Sequence, residues 1–224
     1  QAQLVRPQSA TVQFAVGRQQ WLDGQVDEAL QSWKSAFHQD QTSQEQILAL
    51  LVGNAPAQAI LDTLQPDLAA LQRLEARYLN EQQPLSENDV IVQQPLPEYD
   101  VIARAYAGAL KKELANPECD QPVDRLIAAA AVYNRLQDAE ATETSLRRAL
   151  EIDRTSFAAR KMMGVFLYQR GEFARASEFL NWCVKISPTD RWLRSLAEDN
   201  LAKSLRSPSA IQPAGFETPS RRRR

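Results

Sequence analysis

Apolar residues recur three to four positions apart along most of the chain, the spacing of one face of a helix. Phe14, Gly17, Trp21 and Leu22 open the series, Gly24-Gln25 interrupts it, and Val26, Ala29, Leu30, Trp33, Ala36 and Phe37 resume it. Two short amphipathic helices around a glycine turn make a helical hairpin. Thr42 followed by Glu45 matches a capping box opening a third helix through Ile47, Leu50 and Leu51. Gly53-Asn54 breaks it. Ala55 to Leu64 reads as a fourth helix, and Leu68 to Leu79 as a fifth beyond the Pro66-Asp67 boundary. Residues 80–99 break the pattern, with Pro84, Pro95 and Pro97 punctuating a polar stretch around Val90-Ile91-Val92. They read as a linker or long loop with one small helix near Ser86 to Ile91. A connection of that length is either functional or a boundary between subdomains. Asp100 can cap a sixth helix carrying Ile102, Tyr106, Leu110 and Leu114, which Asn116-Pro117 ends. Five further helices are expected at 122–136, 139–151, 157–170, 173–186 and 191–206. The expected organisation is therefore an irregular start (1–9), N-terminal hairpins (10–79), the linker (80–99), C-terminal repeats with a capping helix (100–206), and a disordered basic tail (207–224).

A period of 34 residues runs through this pattern. In the frame 157–190, Ala159, Met163, Gly164 and Leu167 line a first helix and Gly171 makes the turn. Phe173, Ala176, Leu180 and Cys183 line a second helix, and Pro188 closes the unit. The frame 123–156 places Leu126, Ala129, Ala130 and Tyr133, then Leu146, Ala149, Leu150 and Ile152, at matching positions. Residues 10–43 repeat it with Val16, Gly17, Gly24, Ala29, Trp33 and Ala36. Small residues at 17, 164, 29, 176 and 36 permit close approach of paired helices, and Gly24 and Gly171 permit the turn. Four of the seven glycines fall on these two repeat positions, which lifts the match above generic helical patterning.

This unit resembles the tetratricopeptide repeat (TPR) family, in which helix pairs stack into a superhelix. The stretch GVFLYQRGEFARASEFLNWCVKISPTD carries the pattern in full. The 10–43 unit has Gln41 in place of the closing proline, and the 123–156 unit has Ala130, Thr142 and Arg154 at three signature positions. The stretch 44–79 is helical at a shortened period. The resemblance implies an all-α fold: a TPR-like solenoid of helical-hairpin repeats. The final helix, with Leu193, Leu196, Ala197 and Leu201, looks like the family's terminal capping helix.

Composition changes this picture little. The chain has 224 residues, 44% of them apolar, enough for a sizeable core. Residues 1–99 carry 5 basic and 12 acidic side chains, 100–205 carry 16 and 15, and the remainder 5 and 1. Only the Arg221 to Arg224 run has a footprint for nonspecific nucleic acid, and a solubilising terminal tail is the favoured account of it. No run of apolar residues reaches membrane-spanning length. The first residue is Gln1, which suggests a processed chain or a piece of a larger one.

The chemistry-bearing residues are few. The single histidine, His38, lies beside Gln39 and Asp40 and reads as a surface residue. Cys183 holds a small-residue slot of its repeat and is expected to be buried, while Cys119 lies in a loop after Pro117. No nucleophile–base pair, phosphate loop or metal spacing is present, so neither enzymatic activity nor a cofactor is expected. Trp182 and Trp192 are expected to pack against the cap.

The resemblance puts a ligand groove on the first helix of each pair. The groove positions of the three frames are Phe14, Arg18 and Trp21; Asp124, Ile127, Asn134 and Arg135; and Lys161, Val165 and Tyr168. The partner-binding set taken from them is Phe14, Arg18, Trp21, Asn134, Arg135, Lys161 and Tyr168, a mixture suited to a peptide with apolar anchors. Lys161 and Asn134 are only fragments of the Lys/Asn carboxylate clamp of some family members, so a chaperone-tail clamp is not expected. The function expected is a protein–protein interaction scaffold, its partner a protein, a peptide or the rest of its own parent chain. One alternative is a soluble accessory domain, inside or outside the cytoplasm, of a membrane-bound envelope glycan polymerase or ligase. Another is a helical-toroid enzyme.

Overall fold

The computed structural model describes residues 9–81 and 98–206. The expected irregular start, most of the 80–99 linker and the tail lie outside the described residues. Among the described residues there are eleven α-helices: α1 Ala10–Leu22, α2 Val26–Gln39, α3 Gln41–Leu51, α4 Ala57–Leu64, α5 Leu68–Glu81, α6 Tyr99–Leu114, α7 Pro122–Arg135, α8 Ala139–Ile152, α9 Phe157–Gln169, α10 Phe173–Ile186 and α11 Arg191–Arg206. The fold is all-α and built from helical hairpins, as the periodicity demands.

Two compact units divide the chain. One holds the residues up to Asp120 together with Arg135–Asp138, and the other holds Gln121–Asn134 and the residues from Ala139 onward. The helix expected to begin the C-terminal segment, α6, therefore belongs with the first unit, where it packs on α4 and α5. Its apolar stripe, Ile102, Ala103, Tyr106 and Leu110, is buried.

The first unit is organised around α2, whose Ala29, Trp33 and Ala36 are completely buried. Helices α1, α3 and α4 all pack on it. Helix α5 is tied to α3 by Arg77, whose Nη2 lies 2.6 Å from Oε2 of Glu45, a half-exposed pair worth no more than about 1 kcal/mol. Deeper lies Glu75, only 6% exposed. Its Oε1 accepts from the Tyr99 hydroxyl at 2.9 Å and from Arg135 Nη1 at 2.7 Å. Burial, and next the Glu75 carboxylate, push the Tyr99 phenol well above its ordinary pKa.

Several helix starts differ from expectation by a residue or two. Asp40, not Thr42, caps α3, accepting from Ser43 N at 2.7 Å. Helix α6 begins at Tyr99, so Asp100 lies in its first turn. The residue before it, Glu98, accepts from Ala57 N at 3.0 Å and so satisfies an end of α4 instead. His38 is exposed, as expected, and its Nε2 donates to the terminal carbonyl of α4, Leu64 O, at 2.7 Å.

The second unit has one apolar core running from Ala130 and Leu146 through Met163, Phe166, Leu167, Ala176, Leu180 and Cys183 to Leu193 of α11. Cys183 is fully buried, and that burial raises its thiol pKa. Helix α11 packs along α10, capped by Asp190, whose Oδ1 accepts from Leu193 N at 3.0 Å. The final hairpin thus has a capping helix over it, as the repeat pattern implies.

Candidate protein-interaction surface

The hairpins α1–α2 and α9–α10 are built the same way. Gly24 and Gly171 take φ of +78° and +77°. Gly24 N bonds Trp21 O and Gln25 N bonds Gln20 O; Gly171 N bonds Tyr168 O and Glu172 N bonds Leu167 O. Both are Schellman turns, in which a left-handed residue lets the two amides close on the last carbonyls of the helix. In the 123–156 frame the same place falls on Gln137, which is also left-handed at φ +59°. The turn is kept there although the glycine is not.

Inside each hairpin the second repeat glycine meets the partner helix. A Cβ on Gly17 would lie 2.4 Å from Trp33 Nε1, and one on Gly164 would lie 2.8 Å from Leu180 Cδ2. Trp33 and Leu180 occupy equivalent positions. Trp33 is further fixed by donating from Nε1 to Phe14 O at 3.0 Å and by lying between Phe14 and Trp21, with ring centroids at 6.4 and 5.7 Å.

The residues expected to line a groove therefore have distinct environments. Phe14 and Trp21 are half-buried with one side on Trp33, and Arg18 is exposed on the same helix. Asn134 is half-buried at the end of α7, and Arg135 is engaged by Glu75. Lys161 pairs with Asp190 at 3.6 Å and lies 5.0 Å over the Trp192 ring. The Tyr168 hydroxyl bonds Asp199 and receives a bond from Lys203, both on α11. So α11 covers the groove positions of the last hairpin. Trp192 itself remains 54% exposed, and Trp182 packs toward Phe157 and Arg160.

Among the described residues, the tip of the first hairpin lacks that cover. Val26 occupies the place of Phe173, whose carbonyl accepts from Asn200 Nδ2 of α11 at 3.0 Å. The helix that follows the first hairpin is α3. It begins from Asp40 as α11 begins from Asp190, but it has 11 residues where α11 has 16. Counted from the cap, the places of Asp199, Asn200 and Lys203 fall on Ala49, Leu50 and Gly53, the last beyond the helix. Leu22 is 69% exposed, at a place that Gln169 also exposes in the last hairpin, and Val26 is 38% exposed where Phe173 is half-buried. The groove positions expected from the sequence include Phe14, Arg18 and Trp21, while the exposed Leu22 and Val26 beside them are not among those positions. The signal was the early Gly53 stop, which shortens α3.

No protein-family model and no curated protein matches the chain. The solved structures similar to it include these two. One is of the APC/C hetero-tetramer Cut9–Hcn1, at 14% identity over 89% of this chain, with a TM-score of 0.46. This chain spans 37% of that one's length. The other is TTC0263, described as a thermophilic TPR protein of Thermus thermophilus, at 19% identity over 87% of this chain and all of that one, with a TM-score of 0.46. Among the described residues no helix is long and apolar enough to cross a membrane, and no cluster of His, Cys, Asp and Glu could hold a metal ion. The repeated glycine contacts and Schellman turns are the chain's own mark of a TPR-like, all-α helical-hairpin fold.

Proposed function

We propose that this chain is a protein–protein interaction scaffold and that a partner docks on the first hairpin, at Phe14, Arg18 and Trp21 extended by Leu22 and Val26. The observation that carries this reading is the missing cover. The last hairpin is bonded at its tip to α11 through Asn200, Asp199 and Lys203; at the first hairpin these groups have no counterpart among the described residues. Two half-buried aromatic rings held against Trp33, beside the exposed Leu22 and Val26, make a preformed anchor site that costs little ordering on binding.

A photo-crosslinking amino acid at Leu22 tests it, with the same group at Arg147, on the exposed surface of the second unit, as control. Crosslinks confined to position 22, and lost in a Val26→Ser chain of unchanged helicity, support the site. Equal capture at both positions removes it.

A further inference from the structure

The uncovered tip carries charge as well as apolar surface, and the chain holds a second stripe that matches it. The exposed residues along the first hairpin include Arg18, Leu22, Val26 and then Asp27 with Glu28, with Asp23 beside Leu22. Apart from Asp23 they read basic, apolar, apolar, acidic. On α11, the face turned away from the core runs Glu198, Leu201, Leu205 and Arg206, all exposed, with Leu201 at 55% and Leu205 at 79%. That stripe reads acidic, apolar, apolar, basic. Spacings of three and four residues keep Glu198, Leu201 and Leu205 on one helical face.

The second stripe has a reason to be open. By the 34-residue period α11 holds the first-helix place of a further unit, and Leu201 corresponds to Leu167, which its hairpin partner buries completely. Glu198 stands where Gly17 and Gly164 admit the second helix so closely. A glutamate there cannot admit a second helix as closely as those glycines do, and the leucine pair is exposed.

From these two stripes we infer that the occupant of the first hairpin's tip is the α11 face of a second copy of this chain. The association is head-to-tail, between two different surfaces, with Arg18 facing Glu198, the two leucines meeting Leu22 and Val26, and Arg206 facing Asp27 and Glu28. It rests on the proposed docking site and supplies its partner. Complementary charges flanking an apolar centre set register and discriminate against other pairings. A heterologous contact of this kind extends or closes into a ring.

Sedimentation of the full chain between about 1 and 500 µM tests the idea, since weak assembly falls within that range. The expected result is a weight-average mass that rises with concentration and falls with added salt. A Leu201→Ser, Leu205→Ser chain should weaken association at least about tenfold, with unchanged helical circular dichroism, because both side chains are exposed. Two charge-reversed chains sharpen the test. Arg18→Glu with Asp27→Lys and Glu28→Lys alters the tip, and Glu198→Lys with Arg206→Glu alters α11. Each alone should be monomeric, and the mixture should co-assemble. A constant monomer mass for the wild type, undiminished assembly of the leucine variant, or a monomeric mixture each overturns the proposal. A different protein crosslinked at Leu22 in those cases would leave the docking site standing while removing the second copy as its occupant.

Discussion

The first and last hairpins share a turn and a glycine contact but differ in what presses on the glycine and in what covers the tip. In the first, the opposing group is the indole of Trp33, held by a hydrogen bond and by two flanking rings. In the last it is the end of the Leu180 side chain. The repeat fixes a small residue on one helix and leaves the opposing side chain free to vary. The tip varies too, bonded by side chains of α11 in one unit and, among the described residues, not by those of the shorter α3 in the other.

The largest expected effect breaks the first hairpin. Gly17→Ala drives a methyl into the Trp33 ring, which is fully buried and cannot swing away, and should cost about 3 kcal/mol. Urea unfolding followed by tryptophan fluorescence checks it, because Trp21 and Trp33 both report from this hairpin. Gly164→Ala meets Leu180 at 2.8 Å from Cδ2 and 3.0 Å from Cγ, a buried side chain but a smaller and longer contact than the indole, so a smaller loss of about 1–2 kcal/mol is expected. Equal losses at the two sites would mean that the indole yields as readily as the leucine. Gly24→Ala and Gly171→Ala have open space around the new Cβ but a left-handed backbone, and each should lose about 1 kcal/mol by the same unfolding measurement. The converse change, Gln137→Gly, should stabilise by roughly 0.5 kcal/mol or more, because it relieves the same strain in the degenerate frame.

The smallest effect is pH-dependent and concerns the cap of α3. Hydrogen bonds from the Ser43 backbone and side chain hold the Asp40 carboxyl below the usual range. Its contribution is therefore present above its unfolded pKa, about 4, and is lost as pH falls through the lower folded value. Asp40→Ala should destabilise at neutral pH, and its difference from the wild type should shrink in thermal melts taken below about pH 4.

Helix positions were legible in the sequence because burial imposes a period of 3.6 residues on whichever side chains face the core. The helix ends were less so. Thr42 and Asp100 are good caps by residue type, but the neighbouring Asp40 side chain reached the free amide of Ser43 first, and Glu98 was drawn to another helix. For the candidate site, the repeat frame supplied the positions Phe14, Arg18 and Trp21 but not their surroundings. That Tyr168 and Lys161 would be engaged by α11, and Arg135 by Glu75, depended on residues distant in sequence.

By itself the sequence determined an all-helical chain of paired helices, because glycine at the turn and at the helix crossing leaves few other solutions. It also determined which cysteine is buried, since a small slot in a close-packed repeat has no room for water. Only the tertiary structure decided that α6 joins the first unit and that, among the described residues, one hairpin tip is bonded by a following helix while its counterpart is not. Those outcomes depend on helix length measured against a neighbour and on which long side chain reaches which buried charge, and no local period encodes either.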